Sequence, residues 1–152
     1  MALIVQKYGG TSVGSPARVH AVADQIAARR AEGHGVAVVV SAMGDSTDRL
    51  LDLARQVSTT PAPRELDALL ATGEMVSTAL LAMALTDRGY PARSYNALQL
   101  PVTTRGLHGK ARIEAIESAG RDVGAQAGRL DGLDARLAMQ APGGDRELQR
   151  VI

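Results

Sequence analysis

The sequence contains no cysteine, tryptophan or phenylalanine, and its three aromatic residues are all tyrosines. The absence of cysteine excludes disulfide bonds, a thiolate nucleophile and cysteine-based zinc sites. With so few aromatic residues, the core must be built from alanine, leucine, valine and isoleucine. The three histidines, His20, His34 and His108, are scattered along the chain. We therefore expect no protein-bound metal.

The chain also lacks a charge excess and a long apolar segment. Its formal net charge is +1 over 152 residues, with acids and bases interspersed, so no nucleic-acid partner is expected. The purest apolar run, Val36–Val40, is far too short to cross a membrane, and the N-terminus shows no signal-peptide pattern. The sequence therefore predicts a cytoplasmic protein with no membrane partner, and with enough residues for one domain and its core.

Strand-like apolar segments alternate with helical periodicity in the first part of the chain. Strands are predicted at Leu3–Val5 and Val36–Val40, and the unbroken apolar run of the second is typical of a parallel strand covered on both faces. A helix between them has Ser15 as its N-cap and Pro16 at its first position, and it ends at Gly33. Further predicted elements are a helix starting near 45–47, a helix over 64–89 with a break or a kink near 72–73 as one expectation, and strands at 92–97, 102–104 and 111–113.

This order of elements with short connections predicts an α/β fold with a mostly parallel sheet. The apolar pattern weakens from residue 98. Beyond Gly120 the chain has many glycines and few apolar residues, and it predicts only a weak amphipathic helix over 129–140.

Two turns at one edge of the predicted sheet carry the candidate site residues. Ligands of α/β sheets bind beyond the carboxyl ends of the strands, and each turn leads into a helix N-terminus, which favours anions. The alternatives are a plain strand-to-helix connection with a surface lysine in the first turn and a helix cap in the second. The motifs of P-loop NTPases and of Rossmann dinucleotide sites are absent. The turns hold Lys7, Gly9, Gly10, Thr11 and Ser12, and Ser41, Met43, Gly44 and Thr47, respectively.

Four segments in register resemble the N-terminal part of bacterial aspartate kinases, members of the amino-acid kinase family. They are KYGGTSVG, VVVSAMGDSTD, LLATGEMVSTALLAMAL and HGKARI, and the resemblance runs from Met1 to about Arg121. It implies a three-layer αβα sandwich with a mostly parallel sheet, which this chain would form incompletely. It also implies phosphoryl transfer from ATP, which brings Mg²⁺ with it, to L-aspartate. The product would be 4-phospho-L-aspartate, in the first step of lysine, threonine and methionine biosynthesis.

The resemblance also implies roles for single residues. Lys7 would be the catalytic residue, and Thr47 and Glu74 would bind the aspartate substrate, with Glu74 beside its α-ammonium group. The alternative for Glu74 is an ordinary surface acid on a helix. A site with a lysine and glycine-rich turns suits phosphoryl transfer, which needs charge stabilisation and alignment more than covalent help from the protein. The ATP phosphates would be held by Lys7, Tyr8, Gly9, Gly10, Ser12 and Ser41.

The resemblance stops near Arg121, where complete aspartate kinases continue with further strands and a GRGGSD block that carries a catalytic aspartate. We therefore expect residues 1–121 to be the N-terminal part of an amino-acid kinase domain. Residues 122–152 would be a divergent tail, with disorder as one expectation. The abrupt change predicts a frameshifted reading, and the rival hypothesis is a real alternative C-terminus.

Two functions follow from this pattern. The first is an aspartate kinase whose chain is incomplete and inactive alone. The alternative is a non-catalytic relic, or an interaction subunit that docks on a full-length aspartate kinase through an exposed sheet edge. Either a homo-oligomer or association with such a full-length kinase is expected.

Overall fold

The computed structural model describes residues 2–96, 99, 102–106 and 111–116. The chain divides into two compact units, Met1–Ser94 and Tyr95–Ile152. The tail 122–152 and the predicted helix over 129–140 lie outside the described residues. The elements of the first unit are β1 (Leu3–Tyr8), α1 (Pro16–Ala31), β2 (Gly35–Val40), α2 (Ser46–Val57) and α3 (Pro63–Thr86).

Strands β1 and β2 pair in parallel, from Leu3 opposite Gly35 to Tyr8 opposite Val40. Helix α1 makes the crossover between them, and it starts as the sequence predicts, because the Ser15 side chain accepts a hydrogen bond from the Arg18 backbone N–H at 3.3 Å. The α/β class and the parallel sheet are thus confirmed.

The core of this unit lies between the strand pair and two helices. Helices α1 and α3 pack against each other and against β2, while α2 packs against α3. The opposite face of β1 carries Val5, which is 49% exposed, and the exposed Lys7. Of the predicted three layers, the described residues thus show the sheet and one helix layer. The buried core residues are Val13, Val19, Val22, Ala23, Ile26, Val40, Leu81, Ala84 and Leu85.

Two expectations about secondary structure are wrong. Residues 92–96, the described part of the predicted strand at 92–97, are not in a strand. A strand needs a partner for its backbone groups, and none of the described strands pairs with this segment. Of the break or kink expected near 72–73, the break is absent, since α3 is continuous across Gly73.

Helix α3 is long and apolar enough to cross a membrane by length and composition alone. However, Leu81, Ala84 and Leu85 at its C-terminal end are buried in the core against α1 and β2. The apolar character of this helix is therefore used, at least in part, for packing within the domain.

The second unit contains an antiparallel pair of short strands. They are β3 (Val102–Arg105) and β4 (Arg112–Ile116), with an irregularity in register between Thr103 and Thr104. An ion pair between Arg105 and Glu114 links the two strands. The two short strands predicted at 102–104 and 111–113 are therefore present, and the second extends three residues further.

Candidate functional site

The first loop, residues 9–15, leads from β1 into α1 and is held by hydrogen bonds within the chain. The Ser12 backbone N–H donates to the Gly9 carbonyl oxygen at 2.9 Å, and the Arg18 guanidinium donates to the Thr11 carbonyl oxygen. A Cβ atom placed on Gly10 would lie only 2.6 Å from the Ala42 carbonyl oxygen. Packing against Ala42 therefore requires glycine at position 10.

Gly9 differs from its neighbour, because neither its φ nor a close contact within the described part of the chain requires it to be glycine. A Cβ atom placed there would meet no atom within 4 Å, and its φ is not positive. The space beside Gly9 is therefore open to an incoming group at the carboxyl end of β1.

The second loop, residues 41–45, leads from β2 into α2 and is bonded to the first. The Ser41 N–H donates to the Tyr8 carbonyl oxygen at 3.1 Å, and the Gly44 N–H donates to the Gly10 carbonyl oxygen at 3.0 Å. Gly44 adopts a φ of +49°, which glycine tolerates well. These bonds bring the two predicted turns together at one edge of the sheet.

The start of α2 offers further donors to the site. Asp45 occupies the N-cap position, but its side chain makes no capping hydrogen bond. The Ser46 N–H donates to the Met43 carbonyl oxygen, and the other N–H groups of the first helical turn, which includes Thr47, have no cap from the Asp45 side chain. Such groups and the helix dipole together favour an anion.

Lys7 and Tyr8 point to opposite faces of β1. The Tyr8 side chain packs against the core and its hydroxyl donates to Gln25 Oε1 at 3.3 Å. Burial raises the pKa of Tyr8, which the charge of Arg29 opposes in part, so the phenol stays protonated at neutral pH. The Tyr8 side chain is thus hydrogen-bonded within the domain, whereas the Lys7 side chain is exposed.

Glu74 on α3 is tied to the second loop. Its Oε1 atom accepts a hydrogen bond from the Ala42 backbone N–H at 3.3 Å, and the residue is half-buried. The neighbouring Gly73 packs against Ala42, because a Cβ atom at position 73 would lie 2.8 Å from the Ala42 Cβ. The Glu74 carboxylate is thus held against the same loop that contacts Gly10.

The structure adds two residues that the sequence did not single out. Ala42 and Gly73 join α3 to the two loops, yet neither carries a functional group. Their only signal in the sequence is their small size beside Ser41 and Glu74. The roles of the predicted site residues in binding ATP or aspartate remain predictions.

Comparison with known proteins identifies the class to which this arrangement belongs. The family model described as "Amino acid kinase family" matches residues 2–130. The chain belongs to this family.

Individual relatives narrow the similarity to one branch. The chain is 50% identical over 130 residues to the aspartokinase of Mycobacterium tuberculosis (strain ATCC 25618 / H37Rv), a match that covers 86% of this chain and 31% of the relative. It is 51% identical over 119 residues to aspartokinase 2 of Bacillus subtilis (strain 168), and this match covers 78% of this chain and 29% of that relative. The crystal structure of aspartate kinase from Synechocystis matches with a TM-score of 0.62 and 54% identity over 64% of this chain and 17% of that one. The chain thus matches the N-terminal part of aspartate kinases and spans about 30% of the length of these curated relatives.

Proposed function

We propose that this chain provides the phosphate-binding loops and part of the amino-acid site of an aspartate kinase. The observation that carries the proposal is that two loops at the carboxyl end of a parallel strand pair are bonded to each other and to the carboxylate of Glu74. An open space beside Gly9 and the uncapped start of α2 supply room and N–H donors for phosphate groups. The relatives named aspartokinase support the choice of substrate class.

In the proposed reaction, a side-chain carboxylate oxygen of L-aspartate attacks the γ-phosphorus of ATP. A new P–O bond forms as the bond between the γ-phosphorus and the β,γ-bridging oxygen breaks, giving 4-phospho-L-aspartate and ADP. Mg²⁺ enters with ATP as part of the substrate. Lys7 would offset the negative charge that shifts toward the departing ADP, beside the N–H groups of the first loop.

Glu74 would recognise the amino end of the substrate. The Ala42 N–H donates a hydrogen bond to the Oε1 atom of Glu74, which fixes the carboxylate. The Oε2 atom is then able to accept a hydrogen bond from an α-ammonium group. Thr47, in the first turn of α2, would contact the same substrate. Tyr8, Gly9, Gly10, Ser12 and Ser41 would complete the phosphate-binding side.

A chimera tests this proposal, because the chain spans only part of its relatives. Residues 1–121 would be joined to the remaining part of the Mycobacterium tuberculosis aspartokinase. We expect aspartate-dependent release of ADP and an acyl phosphate that hydroxylamine traps. In Lys7→Ala, we expect kcat/KM to fall roughly 10- to 150-fold, the equivalent of one charged hydrogen bond.

The matched control is Arg64→Ala, which removes one positive charge from the exposed start of α3. This variant should keep the activity of the parent chimera. A soluble, folded chimera without activity, or one that is indifferent to Lys7→Ala, would contradict the proposed function.

A further inference from the structure

Ala42 lies between the first loop and α3 and touches both with different atoms. It is only 5% exposed. Its carbonyl oxygen faces Gly10, where a Cβ atom would come within 2.6 Å, and its methyl group faces Gly73, where a Cβ atom would come within 2.8 Å. Its N–H donates to Glu74 Oε1 at 3.3 Å.

These contacts leave Ala42 little freedom to move. Two of the three involve its backbone, which cannot rotate away as a long side chain would. The third is the methyl group, which fills the space that the missing side chain of Gly73 leaves open. Because protein interiors are close-packed, a small displacement of Ala42 would be transmitted to the residues that it contacts.

We infer that Ala42 is a positioning residue, whose side-chain size sets the spacing between the first loop and the Glu74 carboxylate. A larger group at the contact between Ala42 and Gly73 pushes the second loop toward Gly10. That displacement strains the bond from the Gly44 N–H to the Gly10 carbonyl oxygen. The inference rests on the proposed function only in treating the loops and Glu74 as parts of one site.

A size swap between the two contacting positions tests the inference without any ligand. Gly73→Ala adds a methyl group that collides with the Ala42 methyl group, and Ala42→Gly/Gly73→Ala moves the methyl group from one side of the contact to the other. The control is Ser77→Ala, a fully buried position one turn further along α3 whose hydroxyl donates to the Gly73 carbonyl oxygen.

The readout is the backbone amides of Gly10 and Gly44 in isotope-labelled protein. In Gly73→Ala, we expect both resonances to shift and the Gly44 amide to exchange its hydrogen about tenfold faster or more. In the double variant, both should return to nearly wild-type values. Ser77→Ala should leave them unchanged, even if it lowers the melting temperature.

Two results would overturn the inference. One is a Gly73→Ala protein whose Gly10 and Gly44 amides match the wild type. The other is a double variant that is no closer to the wild type than Gly73→Ala. If Gly73→Ala does not fold, the folding of the double variant decides: recovery supports the inference, and failure to recover overturns it.

The chimera separates this inference from the proposed function. In an active chimera, Gly73→Ala should raise the KM for aspartate and lower kcat, and the double variant should restore both. If even the parent chimera is inactive, the proposed function fails. The amide measurements on the 152-residue chain then still decide the role of Ala42.

Discussion

Gly9 and Gly10 are adjacent, yet the structure gives them different reasons to be glycine. Gly10 must be glycine because of its contact with the Ala42 carbonyl oxygen, whereas a Cβ atom on Gly9 would meet no atom of the described residues within 4 Å. A residue whose identity neither packing nor backbone conformation explains is a candidate for contact with a ligand. This distinction separates structural from functional glycines within one short loop.

Substituting the two glycines in turn should separate stability from binding. We expect Gly10→Ala to lower the free energy of unfolding by about 1–3 kcal/mol, because the new methyl group would collide with the Ala42 carbonyl oxygen. Gly9→Ala should leave stability nearly unchanged but weaken ATP binding, since its methyl group would occupy the open space. Denaturant unfolding and calorimetric titration of ATP measure the two effects. Equal loss of stability in both variants would show that the distinction is wrong.

Glu74 allows a similar separation of hydrogen bonding from charge. Glu74→Gln keeps an oxygen that accepts from the Ala42 N–H, while Glu74→Ala leaves that N–H without its partner. We expect Glu74→Ala to cost about 1 kcal/mol of stability and Glu74→Gln clearly less. In the chimera, both should raise the KM for aspartate, because both remove the negative charge. A Glu74→Gln chimera with an unchanged KM would contradict the predicted contact with the α-ammonium group.

At the scale of elements, the sequence predicts local structure better than contacts between distant segments. The start of α1 follows from Ser15 and Pro16, which act within one helical turn. The predicted strand at 92–97 is absent over its described part, residues 92–96, because strand formation depends on a partner elsewhere in the chain. Gly73 lies inside a continuous α3 and packs against Ala42, 31 residues earlier in the sequence, a contact that no short-range pattern shows.

The same distinction applies to the candidate site. The glycines, Lys7 and the two helix starts can be recognised in the sequence, because an anion site of this kind is built from characteristic residue types within short turns. The link between Glu74 and the second loop is not visible there. It arises from a long-range approach of backbone atoms, and small residues give only a weak signal of such an approach.

Arg88, which follows the C-terminal end of α3, links this helix to α1 by hydrogen bonds. Its guanidinium donates to Asp24 Oδ1 at 2.6 Å, to the His20 carbonyl oxygen at 3.2 Å and to the Ala84 carbonyl oxygen at 2.7 Å. The hydrogen bond from Arg88 lowers the pKa of Asp24 below its ordinary value of 3.8. Desolvation of the carboxylate acts in the opposite direction, and the charges of Arg88 and His20 lower the pKa further. The ion pair therefore stabilises the fold above about pH 4 and is lost as the pH falls through the lower, folded-state pKa.

The lowered pKa of Asp24 predicts how the pH dependence of stability should differ between Asp24→Asn and the wild type. The variant should have a lower melting temperature at pH 7 and a shallower decline between pH 5 and pH 3, because it has already lost the carboxylate. Thermal unfolding followed by circular dichroism at several pH values measures both. Asp52→Asn is the control, since Asp52 pairs with Arg55 within α2 and joins no two elements. Parallel curves for Asp24→Asn and the wild type would contradict the prediction.

At the scale of the whole molecule, the described residues cover the two faces of the β1–β2 sheet unevenly. One face of β2 packs against α1 and α3 and Tyr8 of β1 packs against the same core, while Val5 on the other face of β1 is 49% exposed. The three-layer architecture that the sequence predicts would cover both faces. An exposed apolar strand face favours contact with another chain.

We therefore expect the 152-residue chain, purified by itself, to self-associate through this sheet face. Val5→Thr keeps a β-branched side chain of similar shape but makes the exposed face more polar, so it should shift the equilibrium toward monomer. Val57→Thr is the matched control, because Val57 is 83% exposed on α2, outside the sheet. Sedimentation velocity over a range of concentrations measures the association of the three proteins. A monodisperse wild-type monomer with a sharp thermal transition would contradict the prediction, and an effect of Val57→Thr equal to that of Val5→Thr would assign the association to another surface.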